Sequence, residues 1–243
     1  MVKLEARPSA VEIDRQRTAL VVVDMQNDFG ARGGMFDRAG IDISAIQAAA
    51  EATRPVLDAA RSAGIPIVYL QMQHSSDLSD LGPEDGPHWT KHRPLGVGET
   101  MDAPDGSEGQ ILIEDTWNTR IVDSLARDEG DHVVAKHRYS GFFETELDDL
   151  LHELGVKFLL FTGATTSVCV ESTVRDAMFR DYTCIVLEDC TAEPIGGDLP
   201  RSNHEASLTV IETLLGWVSS SDAVLAALAS REKPRGRYTI QRG

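Results

Sequence analysis

Basic residues are scarce in this chain: 23 Lys and Arg stand against 39 Asp and Glu, a formal net charge of −16. That balance argues against nucleic acid and anionic membrane as partners, because both attract cationic surfaces. Its plainest reading is a solvated acidic surface, which leaves the sign of any pocket open. Cysteine is scarcer still, with only Cys169, Cys184 and Cys190. An odd number with no CxxC-type spacing argues against a disulfide framework, supplies no metal-ligand pattern and fits a reducing cytoplasm. No apolar run approaches the ~20 residues of a membrane-crossing helix, and Met1 to Ala10 is too mixed and charged for a secretory signal. No Pro/Gly/Ser-rich linker divides the 243 residues. The expectation is one α/β domain over 1–243, with 42% hydrophobic residues supplying a two-sided core.

What is present centres on Phe158 to Arg180, FLLFTGATTSVCVESTVRDAMFR. The apolar run Phe158 to Phe161 stops at Thr162-Gly163-Ala164, and Val168, Val170, Val174, Ala177 and Met178 then follow mostly at three- and four-residue spacings. That is a buried strand, a tight turn and an amphipathic helix. Thr165, Thr166 and Ser167 sit where side-chain oxygens cap free N–H groups, and Cys169 falls in or beside the first turn. The helix dipole there is expected to lower the thiol's pKa, and the turn's N–H groups are placed to hold an oxyanion. The alternative is that Cys169 is one more small buried residue.

In chain order, Met1 to Arg17 reads as a polar surface arm. TALVVV, Thr18 to Val23, is a strand covered on both faces and ends on Asp24, the place where open parallel sheets keep their sites, although an aspartate there also serves as a turn-former. Gly30 to Gly34 reads as a flexible loop, Ile41 to Ser62 as a helix and Ile65 to Gln71 as the second strand. From Met72 to Thr116 the periodicity fails. Such a segment reads as a binding loop or lid, and no evident helix carries its His74, His88 and His92, so no metal is expected. A short helix is expected over Asn118 to Ala126. HVVAK, His132 to Lys136, is the third strand and ends on a lysine, followed by an aromatic turn with Tyr139 and Phe143. Further elements are a helix over Thr145 to Leu154, a strand over Tyr182 to Glu188, a helix over Arg201 to Leu215, a short strand over Gly216 to Ser219, a helix over Asp222 to Ser230 and a basic tail.

Strands alternating with helices imply right-handed βαβ units and a three-layer, doubly wound, Rossmann-like α/β fold. In such a fold Asp24, Lys136 and Cys169 all lie at C-terminal strand ends on one edge. Each has an ordinary structural reading by itself; their convergence points to a site.

Three stretches, VVVDMQNDF around Asp24, AKHRYSGF around Lys136 and TGATTSVCVESTVRDA around Cys169, resemble the isochorismatase-like cysteine hydrolases in order and approximate spacing. The resemblance runs from about Thr18 to GWVSS. It implies a six-stranded parallel sheet, a catalytic Asp24, Lys136 and Cys169, and a cis Ala164–Thr165 peptide that turns the amides of Thr165 and Cys169 into an oxyanion hole. The isochorismate-cleaving members lack the cysteine, so Cys169 implies an amidohydrolase. The nicotinamidase branch carries an Asp-x-His metal motif where this chain reads QMQHSSD, so no metal or other cofactor is implied. Long stretches, KHRYSGFFET among them, resemble the branch acting on ureidoacrylate, while the loop SSDLSDLGPEDGPHW is more similar to the branch acting on biuret. Biuret-hydrolysing members present a substrate-contacting glutamine near the position of Ile211 and Glu212. A small ureido substrate is common to both branches; the alternatives are a member acting on an N-carbamoyl amino acid such as carbamoylsarcosine and, since fold does not fix function, a non-catalytic binding or scaffold protein on this fold. Asn27, Gln73, Trp117, Tyr139 and Phe143 are the expected substrate-binding residues, and a homo-oligomer, dimer or tetramer, is implied.

Overall fold

The computed structural model describes residues 1–230; the basic tail lies outside them. Its centre is a six-stranded sheet made of β3 (Thr18–Val23), β4 (Ile67–Met72), β7 (His132–Lys136), β8 (Phe158–Ala164), β9 (Thr183–Ala192) and β10 (Trp217–Ser219). All neighbours pair in parallel, in the order β10-β9-β8-β3-β4-β7. Two small antiparallel pairs accompany it: β1 (Val2–Leu4) with β2 (Val11–Ile13), and β5 (Thr100–Asp102) with β6 (Glu108–Gln110). The helices are α1 (Asn27–Gly30), α2 (Met35–Arg38), α3 (Ser44–Ser62), α4 (Pro87–His92), α5 (Leu147–Glu153), α6 (Glu171–Met178), α7 (Asn203–Val210) and α8 (Ser221–Ala229).

The alternation of β3 shows why the sheet needs a layer on each face. Leu20 and Val22 join one core with Ile46, Leu57 and Ala60 of α3 and Val224 of α8. Ala19, Val21 and Val23 join the other with Leu147 and Leu151 of α5 and Val174 and Ala177 of α6. A strand sequence without polar positions is what this burial on both faces requires. The three-layer doubly wound α/β fold is therefore the one expected from the alternation of elements.

Several local expectations are corrected. The N-terminal arm is a β-hairpin whose alternate side chains Leu4 and Ile13 are fully buried. Period-2 burial was present, but three residues per strand are too few to signal it. The Gly30 to Gly34 loop is present between α1 and α2, except that Gly30 itself closes α1. The segment 72–116 contains α4 and the β5–β6 pair, and the Asn118 to Ala126 helix is replaced by two 3₁₀ turns, Trp117–Thr119 and Asp123–Leu125. The helix expected over Arg201 to Leu215 starts at Asn203, behind a Ser202–Glu205 capping box, and closes in a π-turn over Ile211–Leu215.

The strand order reverses between β3 and β8, the switch point at which open α/β sheets leave a crevice. These strands meet closely there. Gly163 adopts φ 124°, and a β-carbon on it would stand 2.1 Å from the Val23 carbonyl oxygen. Only glycine permits that approach.

Candidate active site

Asp24 follows β3 directly and takes φ 50°, a left-handed conformation that aspartate tolerates better than most residues. Cys169 lies past β8 in a π-helical turn, Thr166–Val170, that leads into α6. Lys136 ends β7, two strands from β3, opposite Met72 in the register of the intervening β4. Its long side chain passes Met72, with Nζ 3.6 Å from Sδ, and stops 2.8 Å from Asp24 Oδ2. Nζ also donates to the Arg138 carbonyl at 3.2 Å. The Cys169 thiol is within hydrogen-bonding reach of both Asp24 and Lys136. The structure thus brings the three strand-end residues together, and the Ala164–Thr165 peptide is cis.

Burial governs the electrostatics, since Asp24 and Lys136 are each 1% exposed and Cys169 7%. Loss of water raises the Asp24 pKa against the pull of Lys136, making the carboxylate a stronger base than a surface aspartate. For Lys136 the attraction of Asp24 and Cys169 outweighs the burial that opposes it, so the ammonium is retained. Burial also pushes the Cys169 thiol up, with Lys136 opposing and Asp24 adding to the rise. This corrects the expectation of a thiol acidified by a helix end. The resting group is a thiol beside a base and a cation, an arrangement that generates thiolate by proton transfer on demand.

The capping expectation is corrected as well. No Thr165 side-chain cap forms. Instead Glu193, beyond β9, accepts from the Ser167 amide at 3.0 Å and its hydroxyl at 2.6 Å, and Thr166 Oγ1 pairs with His204 Nδ1 at 2.9 Å. A carboxylate replaces the hydroxyl because it satisfies both donors and complements the positive end of the turn.

A cavity of about 140 Å³ opens on Cys169 and Asp24 and is walled by Phe29, Phe36, Met72, Leu112, Val168 and Ile195, with Lys91, His92, Tyr139 and Thr165 as further polar members. Of the expected substrate contacts, Tyr139 lines it. The other four stand elsewhere. Asn27 donates to the Trp117 carbonyl at 2.8 Å, and both residues border a different cleft; Gln73 borders another beside Arg120 and Asp131. Phe143 lies on the surface, 44% exposed, against His137 and Arg138. Ile211 is in the core and Glu212 receives Arg7 Nε at 2.8 Å, so neither faces the cavity. Sequence reasoning missed Phe36, whose neighbourhood read as loop, and Lys91 and His92, whose short helix has no sustained period.

The histidines are better organised than their sequence suggested. α4 carries His88 and His92 four residues apart, with ring centroids 3.9 Å apart, and both rings lie near His74 and Tyr139. His74 Nδ1 is 3.1 Å from Asp80. His92 Nδ1 is 2.8 Å from the His88 carbonyl, so that nitrogen bears the proton. Burial pushes His74 down to about 4, His88 to about 3, and His92 downward too. Among the described residues no group of three or more His, Cys, Asp or Glu is arranged to hold a metal ion.

A model of the isochorismatase domain matches residues 18–223. Ureidoacrylate amidohydrolase of Methylorubrum extorquens is 42% identical over 234 residues, which cover 96% of this chain and 92% of that protein. The enzyme of that name from Klebsiella pneumoniae is 41% identical, with 94% of each chain covered. Among solved structures, a cysteine hydrolase from Pseudomonas syringae superposes with TM-score 0.76 at 28% identity, covering 94% of this chain and 98% of that one. N-carbamoylsarcosine amidase from Thermoplasma acidophilum gives TM-score 0.62 at 27% identity, with coverages of 85% and 97%.

Proposed function

Because the chain belongs to the isochorismatase domain family, we propose that it is a cysteine amidohydrolase that opens a C–N bond of a small ureido compound, with ureidoacrylate as its substrate. The observation that carries this is the buried Asp24–Lys136 pair, 2.8 Å apart, with the Cys169 thiol in reach of both at an apolar cavity. The relatives that act on ureidoacrylate lend the substrate. Neither Ile211 nor Glu212 is the glutamine that biuret-hydrolysing members are expected to present there, which favours ureidoacrylate over biuret.

In this reading Asp24 takes the Cys169 proton as sulfur attacks the ureido carbon, and Lys136 holds the carboxylate and the forming thiolate together. The Thr165 and Cys169 amides receive the oxyanion. Collapse breaks the C–N bond, the departing nitrogen takes the proton from Asp24, and an S-carbamoyl enzyme remains. Asp24 then accepts a proton from water as it attacks that carbon, and returns it to the sulfur when carbamate leaves. Every proton is accounted for without a metal or cofactor. The protein is proposed to work as a dimer or tetramer in the cytoplasm; three buried free cysteines suit that compartment, and no helix among the described residues is long and apolar enough to cross a membrane.

The test is product release from ureidoacrylate, a saturated ureido acid, biuret and N-carbamoylsarcosine, with Cys169→Ala as control. Ureidoacrylate is expected to be preferred and the variant to be folded and inactive. Substantial turnover by Cys169→Ala would remove the nucleophile assignment.

A further inference from the structure

The cavity has one wall whose chemistry the reaction leaves unused. Lys91, on α4, lines the cavity and is also exposed to solvent, so the residue stands on the cavity's open side. It makes no ion pair or hydrogen bond among the described residues. The positive charges on the other side of the cavity are committed. Lys136 is held by Asp24. Arg138 Nη1 donates to the carbonyls of Asp80 and His137, both at 2.7 Å, and its guanidinium lies 5.8 Å from the centre of the Phe143 ring. The histidines behind the wall are kept neutral by burial.

We propose that Lys91 makes the cavity selective for ureido compounds that bear a carboxylate, pairing with that group while the ureido carbon faces Cys169. This rests on the function proposed above and names the feature that separates a ureido acid from a neutral ureide such as biuret. The remaining walls are largely apolar, so a carboxylate that enters loses water and gains nothing unless a cation receives it. Asp24 already places a negative charge at the cavity floor, and a net charge of −16 repels anions at long range. A lysine on the open side of the cavity offsets both, and it does so for anionic substrates alone.

Binding separates this selectivity from the chemistry. In the Cys169→Ala background, 3-ureidopropionate and its neutral amide are titrated calorimetrically into otherwise native protein, Lys91→Met and Lys91→Arg. The acid is expected to bind more tightly than the amide. Lys91→Met is expected to weaken the acid by about tenfold or more and leave the amide unchanged, while Lys91→Arg, which keeps the charge, stays within about threefold of the parent. The acid's advantage should also shrink as salt is added. If the parent does not prefer the acid, binds neither ligand, or loses both equally with Lys91→Met, the proposal is overturned. Turnover by the wild type is read separately: Lys91-dependent binding without hydrolysis of any ureido compound would break the proposed reaction and leave the selectivity standing.

Discussion

The strand ends and the segment 72–116 are built on opposite principles. Asp24, Lys136 and Cys169 are positioned at the ends of three parallel strands and are themselves almost wholly buried, so each has little room to be anywhere else. Across the cavity, Lys91 and His92 hang from a six-residue helix within a segment held by a local hairpin and single side-chain contacts such as His74–Asp80. Fixed chemistry thus faces a replaceable selector. A fold organised this way can change its substrate by altering one loop and keep its reaction by leaving the strand tips alone.

The largest effect should come from disturbing the fixed side. Asp24→Asn keeps the shape of the carboxylate but removes the base, and turnover should fall by about 10³-fold or more, measured as kcat. A loss of less than tenfold would mean the proton goes elsewhere. Lys136→Met should cost stability as well as activity, because it leaves the buried Asp24 carboxylate without its cation. Removing one member of such a pair typically costs about 3–5 kcal/mol, observable in urea unfolding. Unfolding at the wild-type midpoint would show that the pair carries no such cost.

The selector side should reveal itself through pH. His74 is fully buried, and its pKa is pushed down to about 4 from the ordinary histidine value of 6.5. The unfolded chain therefore binds a proton that the folded chain refuses between those values, so stability falls as pH drops through this window and is unaffected above it. The full shift corresponds to about 3 kcal/mol. His74→Gln should lessen the pH dependence of the melting temperature between pH 6.5 and 4, with His88 and His92 supplying what remains; an unchanged slope would place the acid sensitivity outside His74.

The same division explains what could be read from the residues alone. TALVVV and FLLFTGA announce two-sided burial through continuous apolar runs, and polar residues at their ends stand out, so the sheet and the Asp24, Lys136 and Cys169 positions were legible. The sign of the Cys169 shift was not. A sequence shows a helix start but not the desolvation that outweighs it, nor that Glu193 arrives from β9 to occupy the turn. Of the pocket wall, Tyr139 and Thr165 were legible. Asn27 stands within the motif around Asp24, yet its side chain donates to the Trp117 carbonyl, and both residues border another cleft. Proximity along the chain reports a strand end well and a loop's side-chain direction poorly.

Phe143 gives the smallest and sharpest test of the boundary between the two regions. It follows the motif around Lys136, and sequence placed it against substrate. The structure puts it 44% exposed, beside His137 and over Arg138, outside the cavity that Tyr139 lines. A side chain so placed contributes little to stability, so Phe143→Ala should change unfolding by no more than about 0.5 kcal/mol. Its kcat/KM on ureidoacrylate should stay within about twofold of wild type, equivalent to under about 0.5 kcal/mol of transition-state stabilisation. Phe36→Ala, which strips a cavity wall, should instead raise KM several-fold while sparing the strand-end groups. If Phe143→Ala proves the more damaging of the two, the substrate extends over the surface beyond Tyr139, and the selector must be redrawn to include the turn that follows Lys136.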